Sequence, residues 1–476
     1  MSKKKKKSVP LHPIMKLTGH IIILSAVLAI ASCGTSKQFR TQPKPTIVVD
    51  TKPTPADTIT GEISDNDTIV ADTVYADDTT PFDSVPFTKA TDEWKRSITA
   101  GVDSLLNNPL LETSVCGVEL WDLDDDISLY RHDERQRLRP ASTMKVMTAI
   151  TALKELGDDY NFTTKVYYTG SVSDSTANGD DAPRSWHGDI YVVGGMTPTI
   201  SQSDIASLAR TIRQQGVDSI FGTVYADQSF KDGKKWASGW CWDDKHNPLL
   251  LPLKYNNKDN FVEEFISQLR RNGIYVSGSQ GTRTLPSRST RCVAELHRSL
   301  KSVMRPMLKN SNNNCAESVF YAMIHSQYGD GVTAKQGQTM IRSLMTKAGI
   351  TNAASYDIVD GCGLSLYDYL SPHAEVMMLR YAWSHKDIYD PLYPLLPIAA
   401  RDGTLRKRMH GTRAAGNVHA KTGTVAGVRS LCGYLTAANG HHIAFSIMNQ
   451  GVNGDDGTAS EARNLQDRIC EMLCNP

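Results

Sequence analysis

The sequence has almost no excess of charge of either sign, with 52 lysines and arginines against 51 aspartates and glutamates. Proteins that bind nucleic acid usually carry a basic excess that meets the phosphates, so we expect no nucleic-acid partner. The sequence also lacks a Cys-x-x-Cys pair and any cluster of cysteine and histidine at zinc-site spacing. This absence argues against a structural zinc site, and we expect neither a metal nor a cofactor.

Long apolar runs are scarce as well. Residues 21–31 ("IIILSAVLAIA") follow the basic start "MSKKKKK", and about eleven apolar residues are too few for a good membrane-spanning helix. The following "AIASC" resembles the lipobox of a bacterial lipoprotein signal, with Ile30 where leucine is commoner, and it makes Cys33 the lipid acceptor. A plain secretory signal and an uncleaved N-terminal anchor are the alternatives. In all three cases the body of the protein works outside the cytoplasm.

Residues 34–88 are rich in threonine, aspartate, proline and serine, with little apolar periodicity. Such a segment buries too little surface to offset its ordering entropy, so we predict a disordered tether. The residues after Cys33 ("GTSKQF") have no acidic run, and we expect a periplasm-facing anchor, in the outer membrane. The eight other cysteines form an even number that permits disulfides in an exported chain. We interpret most of them as small buried apolar residues.

The remainder of the chain contains two kinds of predicted secondary-structure pattern. From about 165 to 285, short strands with turn residues and one clear helix indicate a separate α+β unit. Outside it, apolar periodicity predicts helices, and Asn439-Gly440 between alternating apolar runs predicts a hairpin. The predicted helices are at about 91–107, 202–215, 296–309, 314–327, 334–348 and 459–473, together with the helix that follows Pro140 and ends at Gly157.

Residues 138–150 ("LRPASTMKVMTAI") place Ser142 and Lys145 three positions apart at the start of that helix. Side chains at this spacing are neighbours on a helix, so the two can touch. A Ser-x-x-Lys match is nevertheless common, and the chain has another in its export signal. The pair alone is therefore weak evidence of catalysis.

Two further motifs change this assessment. "SNNN" at 311–314 contains Ser311 and Asn313 at the opening of a helical stretch, and "KTGT" at 421–424 begins with Lys421 on a predicted strand. Each has an ordinary explanation, since serine and asparagine cap helices and glycine bends strands. Together and in this order, the three motifs are the signature of penicillin-recognising serine enzymes.

The chain resembles the D-alanyl-D-alanine carboxypeptidase/endopeptidase family, the class C low-molecular-mass penicillin-binding proteins. The matching stretches include "GDIYVVGG", "ASGWCWDD", "DGCGLS", "LPIAARDGTL" and "VHAKTGT", spread over about 115–450. The resemblance implies an α+β fold: a β-lactamase-like catalytic domain, with a central antiparallel sheet, flanking helices and a helical subdomain, interrupted by a smaller α+β domain. The expected division is a signal at 1–33, a tether at 34–88, catalytic parts at 89–165 and 286–476, and an inserted domain at 166–285.

The resemblance also implies a substrate, the D-Ala–D-Ala ends or cross-bridges of peptidoglycan stem peptides, and covalent binding of β-lactams. Ser142 is the expected nucleophile and Lys145 its base, which must be neutral and therefore needs a lowered pKa. Burial and a second cation, Lys421, would lower it. The expected roles of the other site residues are proton transfer by Ser311, amide binding by Asn313, substrate binding by Thr422, Gly423 and Thr424, and contact with the peptide's diamino acid by Asp243 or Asp244.

The chain departs from the family where the side chain of the peptide is recognised. Cys362 stands where relatives have serine in "DGCGLS", and Leu366 stands where better-studied members have an arginine that holds the substrate side chain. Two other functions remain open at this stage, a β-lactamase and a non-catalytic cell-wall binding lipoprotein. No obvious motif for a deacylating glutamate lies between the second and third motifs, which disfavours the β-lactamase. His419 is interpreted as a packed strand residue, and the tryptophans at 236, 240 and 242 as core and linker packing.

Overall fold

The computed structural model describes residues 91–174, 184–243, 247–287 and 290–475. The predicted signal with Cys33, the predicted tether and Asp244 lie outside the described residues. Of the helices in the described part, none is both long and apolar enough to cross a membrane.

The described residues contain ten α-helices and twelve strands. The helices are α1 (Asp92–Leu106), α2 (Met144–Leu156), α3 (Gln202–Arg213), α4 (Phe261–Arg271), α5 (Leu300–Lys309), α6 (Asn313–Tyr328), α7 (Ala334–Lys347), α8 (Pro372–Trp383), α9 (Lys386–Leu392) and α10 (Thr458–Cys474). The strands are β1 (Val115–Asp122), β2 (Ile127–His132), β3 (Asn161–Asp174), β4 (Arg184–Val193), β5 (Val217–Phe221), β6 (Val224–Asp227), β7 (Tyr275–Val276), β8 (Gln280–Thr282), β9 (Thr290–Ser299), β10 (His419–Val425), β11 (Gly427–Thr436) and β12 (His442–Val452).

The first sheet has five antiparallel strands in the order β10-β11-β12-β1-β2. The predicted hairpin is confirmed: β11 and β12 pair from Thr436↔His442 onward, and Gly440 has the positive φ of 86° that its turn requires. The sheet is buried on both faces, since α1 and α10 cover one and the helical layer covers the other. The strand β10 is left at one edge.

The helical layer is centred on α2 and α6. Ten consecutive residues of α2, from Met144 to Leu153, are buried, because α5, α6, α7, α8 and α9 surround this helix together with the sheet. Burial on all sides is the rule for a helix at the centre of a large core. The start of α2 is therefore held rigidly against both the sheet and α6.

The second sheet joins β7, β5, β4, β3 and β9 in that order, and off this path β6 pairs with β4 and β8 pairs with β6. Its pairs are antiparallel between β3 and both β4 and β9, and parallel between the others. The amphipathic helices α3 and α4 cover one face with their apolar sides. This mixture of strands and helices is the α+β unit that the sequence predicts at 165–285. The domain boundaries at 165/166 and 285/286 stay a prediction, and the first of them falls within β3.

One predicted helix begins too early. Residues 296–299 were expected to be helical, but they end the strand β9, and α5 begins at Leu300. The side chain of Ser299 caps α5 by accepting a hydrogen bond from the backbone N–H of Ser302, which fixes the boundary. The apolar periodicity of α5 runs into the preceding strand, so the pattern alone gives no signal of the change.

Candidate active site

Ser142 lies in a single 3₁₀ turn, Ala141–Thr143, that leads directly into α2. Two glycines let other segments approach this turn closely. A Cβ on Gly363 would lie 1.8 Å from the carbonyl oxygen of Ala141, and a Cβ on Gly423 would lie 2.5 Å from that of Pro140. Neither contact is possible for a residue with a side chain, so both glycines are required for the turn to be held from both sides.

Lys145 follows one turn later with its side chain completely buried. Its Nζ lies 2.9 Å from Ser142 Oγ, 2.8 Å from Asn313 Oδ1 and 2.8 Å from the carbonyl oxygen of Cys362. A neutral amine has two N–H donors and one lone pair. The two carbonyl oxygens can only accept, so they orient the N–H groups, and the lone pair is left to accept the hydroxyl proton of Ser142.

The pKa of Lys145 is lowered from its ordinary value by burial, although the charges of the Cys362, Asp360 and Glu317 side chains, when ionised, would raise it. Burial penalises the ammonium form, because the charge loses its hydration. Geometry and burial therefore act in the same direction, towards a neutral lysine facing the serine.

The second motif divides its three polar residues between two tasks. Asn312 is the N-cap of α6, since its side chain accepts from the backbone N–H of Cys315. The cap is therefore not Ser311 or Asn313, and both remain available to the site. Ser311 takes the uncommon positive φ of 59°, and its Oγ accepts from Lys421 Nζ at 2.9 Å.

Lys421 is completely buried on the edge strand β10, where its Nζ also donates to the carbonyl oxygen of Thr422 at 2.8 Å. Its pKa is held well below the ordinary value, first by burial and then by the charge of Lys145. Two ammonium groups in one buried site repel, so the pair favours a state in which at least one is neutral. We call Ser142, Lys145, Ser311, Asn313 and Lys421 the lysine cluster.

The loop "DGCGLS" helps to hold the cluster in place through its contact with Lys145, a role that was not predicted from the sequence. Asp360 accepts hydrogen bonds from the backbone N–H groups of Cys362, Gly363 and Ser365 and from Trp240 Nε1. These bonds fix the loop, and with it the Cys362 carbonyl that meets Lys145. An aspartate followed by two glycines in a short loop is the available sequence signal, because its carboxylate can bind the backbone that follows.

Buried Glu317 on α6 completes this support by accepting from the backbone N–H of Gly361 at 2.8 Å. Burial, followed by the charge of Asp360, raises the pKa of Glu317 to about 8. The glutamate is therefore mostly neutral at pH 7, and it adds little negative charge beneath Lys145.

The residues expected to recognise the substrate side chain lie at the surface. Leu366 is 40% exposed, and Asp243 is also exposed. The backbone N–H of Leu366 donates to the carbonyl oxygen of Gly239, which joins the loop containing Asp243 to the one that ends in Leu366. We call Asp243, Leu366, Tyr367 and Trp242 the recognition rim.

The interpretation of the three tryptophans as packing residues is partly wrong. Trp240 packs against the core and donates to Asp360, but Trp236 is 58% exposed and Trp242 is 94% exposed. Apolar residue type alone does not distinguish a core tryptophan from one at the surface.

His419 stacks on Tyr393 with ring centroids 4.1 Å apart, and burial lowers its pKa to about 4. It is thus a packed, neutral strand residue at physiological pH, as expected. All eight described cysteines are free thiols, and six of them are buried, in agreement with their interpretation as small apolar residues.

Comparisons with known proteins match most of the chain to one family. The profile of the D-Ala-D-Ala carboxypeptidase 3 (S13) family matches residues 98–260 and 255–473. The D-alanyl-D-alanine carboxypeptidase of Actinomadura sp. (strain R39) is 27% identical in an alignment that covers 78% of this chain and 83% of that protein. The D-alanyl-D-alanine carboxypeptidase DacB of Haemophilus influenzae is 24% identical and is covered to 80%, over 66% of this chain.

Among solved structures, penicillin binding protein 4 from Haemophilus influenzae aligns with a TM-score of 0.69 at 22% identity, covering 78% of this chain and 99% of that one. A peptidoglycan endopeptidase from Bdellovibrio bacteriovorus, Bd3459, aligns with a TM-score of 0.50 at 15% identity, covering 76% and 94%. These likenesses confirm the predicted fold class.

Proposed function

The chain belongs to the D-Ala-D-Ala carboxypeptidase 3 (S13) family and is a serine D,D-carboxypeptidase/endopeptidase, and we propose that it acts through an acyl-enzyme on Ser142. The observation that carries this proposal is the environment of Lys145 Nζ, which has two carbonyl acceptors and the Ser142 hydroxyl around it. A serine becomes a strong nucleophile only when a base takes its proton.

In acylation, Ser142 Oγ forms a bond to the carbonyl carbon of the penultimate D-Ala while its proton passes to Lys145. We assign the stabilisation of the developing oxyanion to the backbone N–H groups of Ser142 and Thr424, and the support is the close approach of Gly423 to the turn that contains Ser142. The C–N bond then breaks, and the amine leaves with a proton delivered through Ser311. A water molecule then bonds to the acyl carbon as it gives up a proton, the ester bond to Ser142 Oγ breaks, and Ser142 regains its proton as the peptide acid leaves.

The other residues of the cluster hold the peptide. Asn313 binds the substrate amide while its Oδ1 orients Lys145. Lys421, Thr422 and Thr424 bind the C-terminal carboxylate. Its negative charge raises the lowered pKa of Lys421. A β-lactam presents the same carbonyl and carboxylate, so penicillin acylates Ser142.

Intact-mass measurement of the protein after incubation with benzylpenicillin tests this proposal. One adduct is expected on the wild type and none on Ser142→Ala, whereas the exposed control Ser384→Ala should be labelled like the wild type. A wild type without an adduct at high drug concentration would refute the acyl-enzyme mechanism. An adduct that disappears within seconds while penicillin is consumed would indicate a β-lactamase.

We also propose that the protein is a periplasmic lipoprotein, anchored to the outer membrane through Cys33. The support is the lipobox-like "AIASC" and the lack of an acidic run after Cys33. Cys33→Ser should move the protein from the membrane fraction to the soluble fraction, while Cys241→Ser, at an exposed free thiol, should not. Membrane association of the Cys33→Ser variant would point to an uncleaved helix instead.

A further inference from the structure

Residues 229–243, which follow the strand β6, pack against the helical layer rather than against the second sheet. Phe230 belongs to the same core as α2 and α6, and Trp240 packs against that core. The backbone N–H of Asp232 donates to the carbonyl oxygen of Val332, between α6 and α7. This segment, which we call the Trp240 segment, is thus part of the surroundings of the lysine cluster, although the sequence prediction places it in the inserted domain.

Buried Lys231 fixes the start of the Trp240 segment. Its Nζ donates to the carbonyl oxygens of Asp232 and Lys234, both at 2.7 Å, and of Leu250 at 3.3 Å. The Asp232 carboxylate lies 2.9 Å from the same Nζ, and the ring centroid of Tyr321 on α6 lies 4.9 Å from it. An ammonium group has three N–H donors, and here each has a backbone acceptor. The segment is therefore held firmly against α6.

Three hydrogen bonds join the Trp240 segment to the loop that contains "DGCGLS" and ends in Leu366. They run from Trp240 Nε1 to Asp360 Oδ2 at 2.6 Å, from Ser365 Oγ to the carbonyl oxygen of Ser238 at 2.8 Å, and from the backbone N–H of Leu366 to the carbonyl oxygen of Gly239 at 3.1 Å. The first of them reaches a carboxylate that is buried. Hydrogen bonds to charged groups are the stronger ones, so the indole is the main connection between the two segments.

Two further steps lead from this carboxylate to the base. Asp360 also accepts from the backbone N–H groups of Cys362 at 3.0 Å and Ser365 at 2.8 Å. The carbonyl oxygen of Cys362 in turn accepts from Lys145 Nζ at 2.8 Å. One carboxylate and one peptide group therefore separate Trp240 from the base. Without the indole N–H, the carboxylate has one fewer bond to fix its orientation, and the Cys362 carbonyl is held less firmly.

We propose that Trp240 is a positioning residue for the reaction, which holds Asp360 and thereby the Cys362 carbonyl that orients Lys145 towards Ser142. The inference rests on the proposed function, because it needs Lys145 as the base. It differs from a role in substrate recognition. A residue that contacts the side chain of the peptide affects only the substrates that reach it, whereas a residue that orients the base affects every substrate.

The test is Trp240→Phe, which keeps an aromatic ring and removes the N–H donor. It uses two substrates, N-acetyl-D-Ala–D-Ala, which has no diamino acid to reach the recognition rim, and a stem peptide with a free diamino acid end. The value of kcat should fall about tenfold with both, the usual worth of one charged hydrogen bond, while KM stays near that of the wild type.

The pH profile gives a readout that a loss of stability alone does not change. A carbonyl acceptor favours the ammonium form of Lys145, so a displaced Cys362 carbonyl lowers the pKa of the base. The ascending limb of the kcat profile should therefore move to lower pH in Trp240→Phe. A limb that stays in place or moves to higher pH would overturn the positioning role.

The matched control is Trp121→Phe, which removes another indole-to-aspartate hydrogen bond, from Trp121 Nε1 to Asp126 Oδ1 at 3.1 Å. It should keep the wild-type kcat with both substrates. A loss in Trp240→Phe that is confined to the stem peptide, or that appears only in KM, would make Trp240 a contact for the peptide and overturn the proposal.

A second variant covers the case in which Trp240→Phe does not fold. Ser365→Ala removes the bond to the Ser238 carbonyl, and it should lower kcat with both substrates by a smaller factor than Trp240→Phe. Labelling of Ser142 by benzylpenicillin is measured in parallel. A wild type that is not labelled would refute the proposed function. A labelled wild type with unchanged kcat in the folded variants would refute only the role of Trp240.

Discussion

The lysine cluster and the recognition rim are joined by one loop, which contacts Lys145 through the Cys362 carbonyl and ends in Leu366, but they are built in opposite ways. Lys145 and Lys421 are completely buried, and every polar atom at their ends has a partner within the protein. In the rim, Tyr367 is 57% exposed and Trp242 is 94% exposed. The groups that we propose for the chemistry are thus fixed before a substrate arrives, while the groups expected to select its side chain are exposed and free to adapt.

This difference matches what each region must do. A base helps only if it stays within hydrogen-bonding distance of the proton it takes, so its surroundings must be rigid. Recognition of a side chain tolerates movement, at a cost in discrimination between similar peptides. We therefore expect large effects from substitutions in the cluster and small effects from those in the rim.

The largest effect should come from Lys145→Arg. The guanidinium keeps its charge near neutral pH, so it cannot take the proton of Ser142. Acylation by benzylpenicillin, followed by intact mass over time, should slow about a hundredfold to ten-thousandfold. Circular dichroism should show that the variant is folded, and Lys154→Arg at the exposed end of α2 serves as the control. Acylation of a folded Lys145→Arg within tenfold of the wild type would exclude Lys145 as the base.

A substitution beneath the cluster should change stability rather than chemistry. Glu375 of α8 is buried and accepts from Ser446 Oγ at 2.7 Å. Burial raises its pKa from 4.5 to about 7, although the hydrogen bond from Ser446 lowers it. Between pH 4.5 and 7 the folded protein holds a proton that the unfolded chain releases. The stability present below pH 4.5 is therefore lost as the pH rises, by up to about 1.4 kcal/mol per unit.

Glu375→Gln cannot titrate, so it should remove this part of the slope. The measurement is the free energy of unfolding from denaturant titrations at several pH values across the window. Glu263→Gln, at an exposed glutamate of α4, should keep the wild-type slope. A Glu375→Gln variant with the slope of the wild type would mean that Glu375 is already ionised in the folded protein.

The smallest effect should come from the rim. Leu366 offers only apolar contact to the carboxylate of a diamino acid, so the wild type should prefer a free diaminopimelate end over a blocked neutral one by less than about thirtyfold in kcat/KM. Leu366→Arg should increase this preference, and Leu366→Met, which adds no charge, should not. A larger wild-type preference, or no increase in Leu366→Arg, would show that another residue supplies the recognition.

Many of the helices and strands could be predicted because the sequence patterns that indicate them involve residues close together in the chain. The three motifs identified the family, and the apolar periodicity and the Asn439-Gly440 turn located most helices and the last hairpin. The helix α8 was not predicted, because its residues from Pro372 to Leu379 are all buried and leave no polar face to give a period. The pairing of the second sheet joins segments far apart in the chain, which local patterns do not encode.

The support of the site was missed for a related reason. Lys145 Nζ contacts the backbone carbonyl of Cys362. Every residue type has this carbonyl, so the sequence does not indicate the contact. By contrast, Ser142 and Lys145 are one helical turn apart, so their contact follows from spacing alone.

The contact made by the backbone carbonyl of Cys362 affects which substitutions this loop can accept during evolution. Every residue offers the same carbonyl, so mutation at position 362 can exchange serine and cysteine and leave the contact with Lys145 in place. The flanking glycines have no such freedom, because a Cβ at Gly361 would lie 2.4 Å from Phe320 Cβ, and one at Gly363 would collide with Ala141. Neutral drift is therefore expected at the middle position and purifying selection on both sides of it.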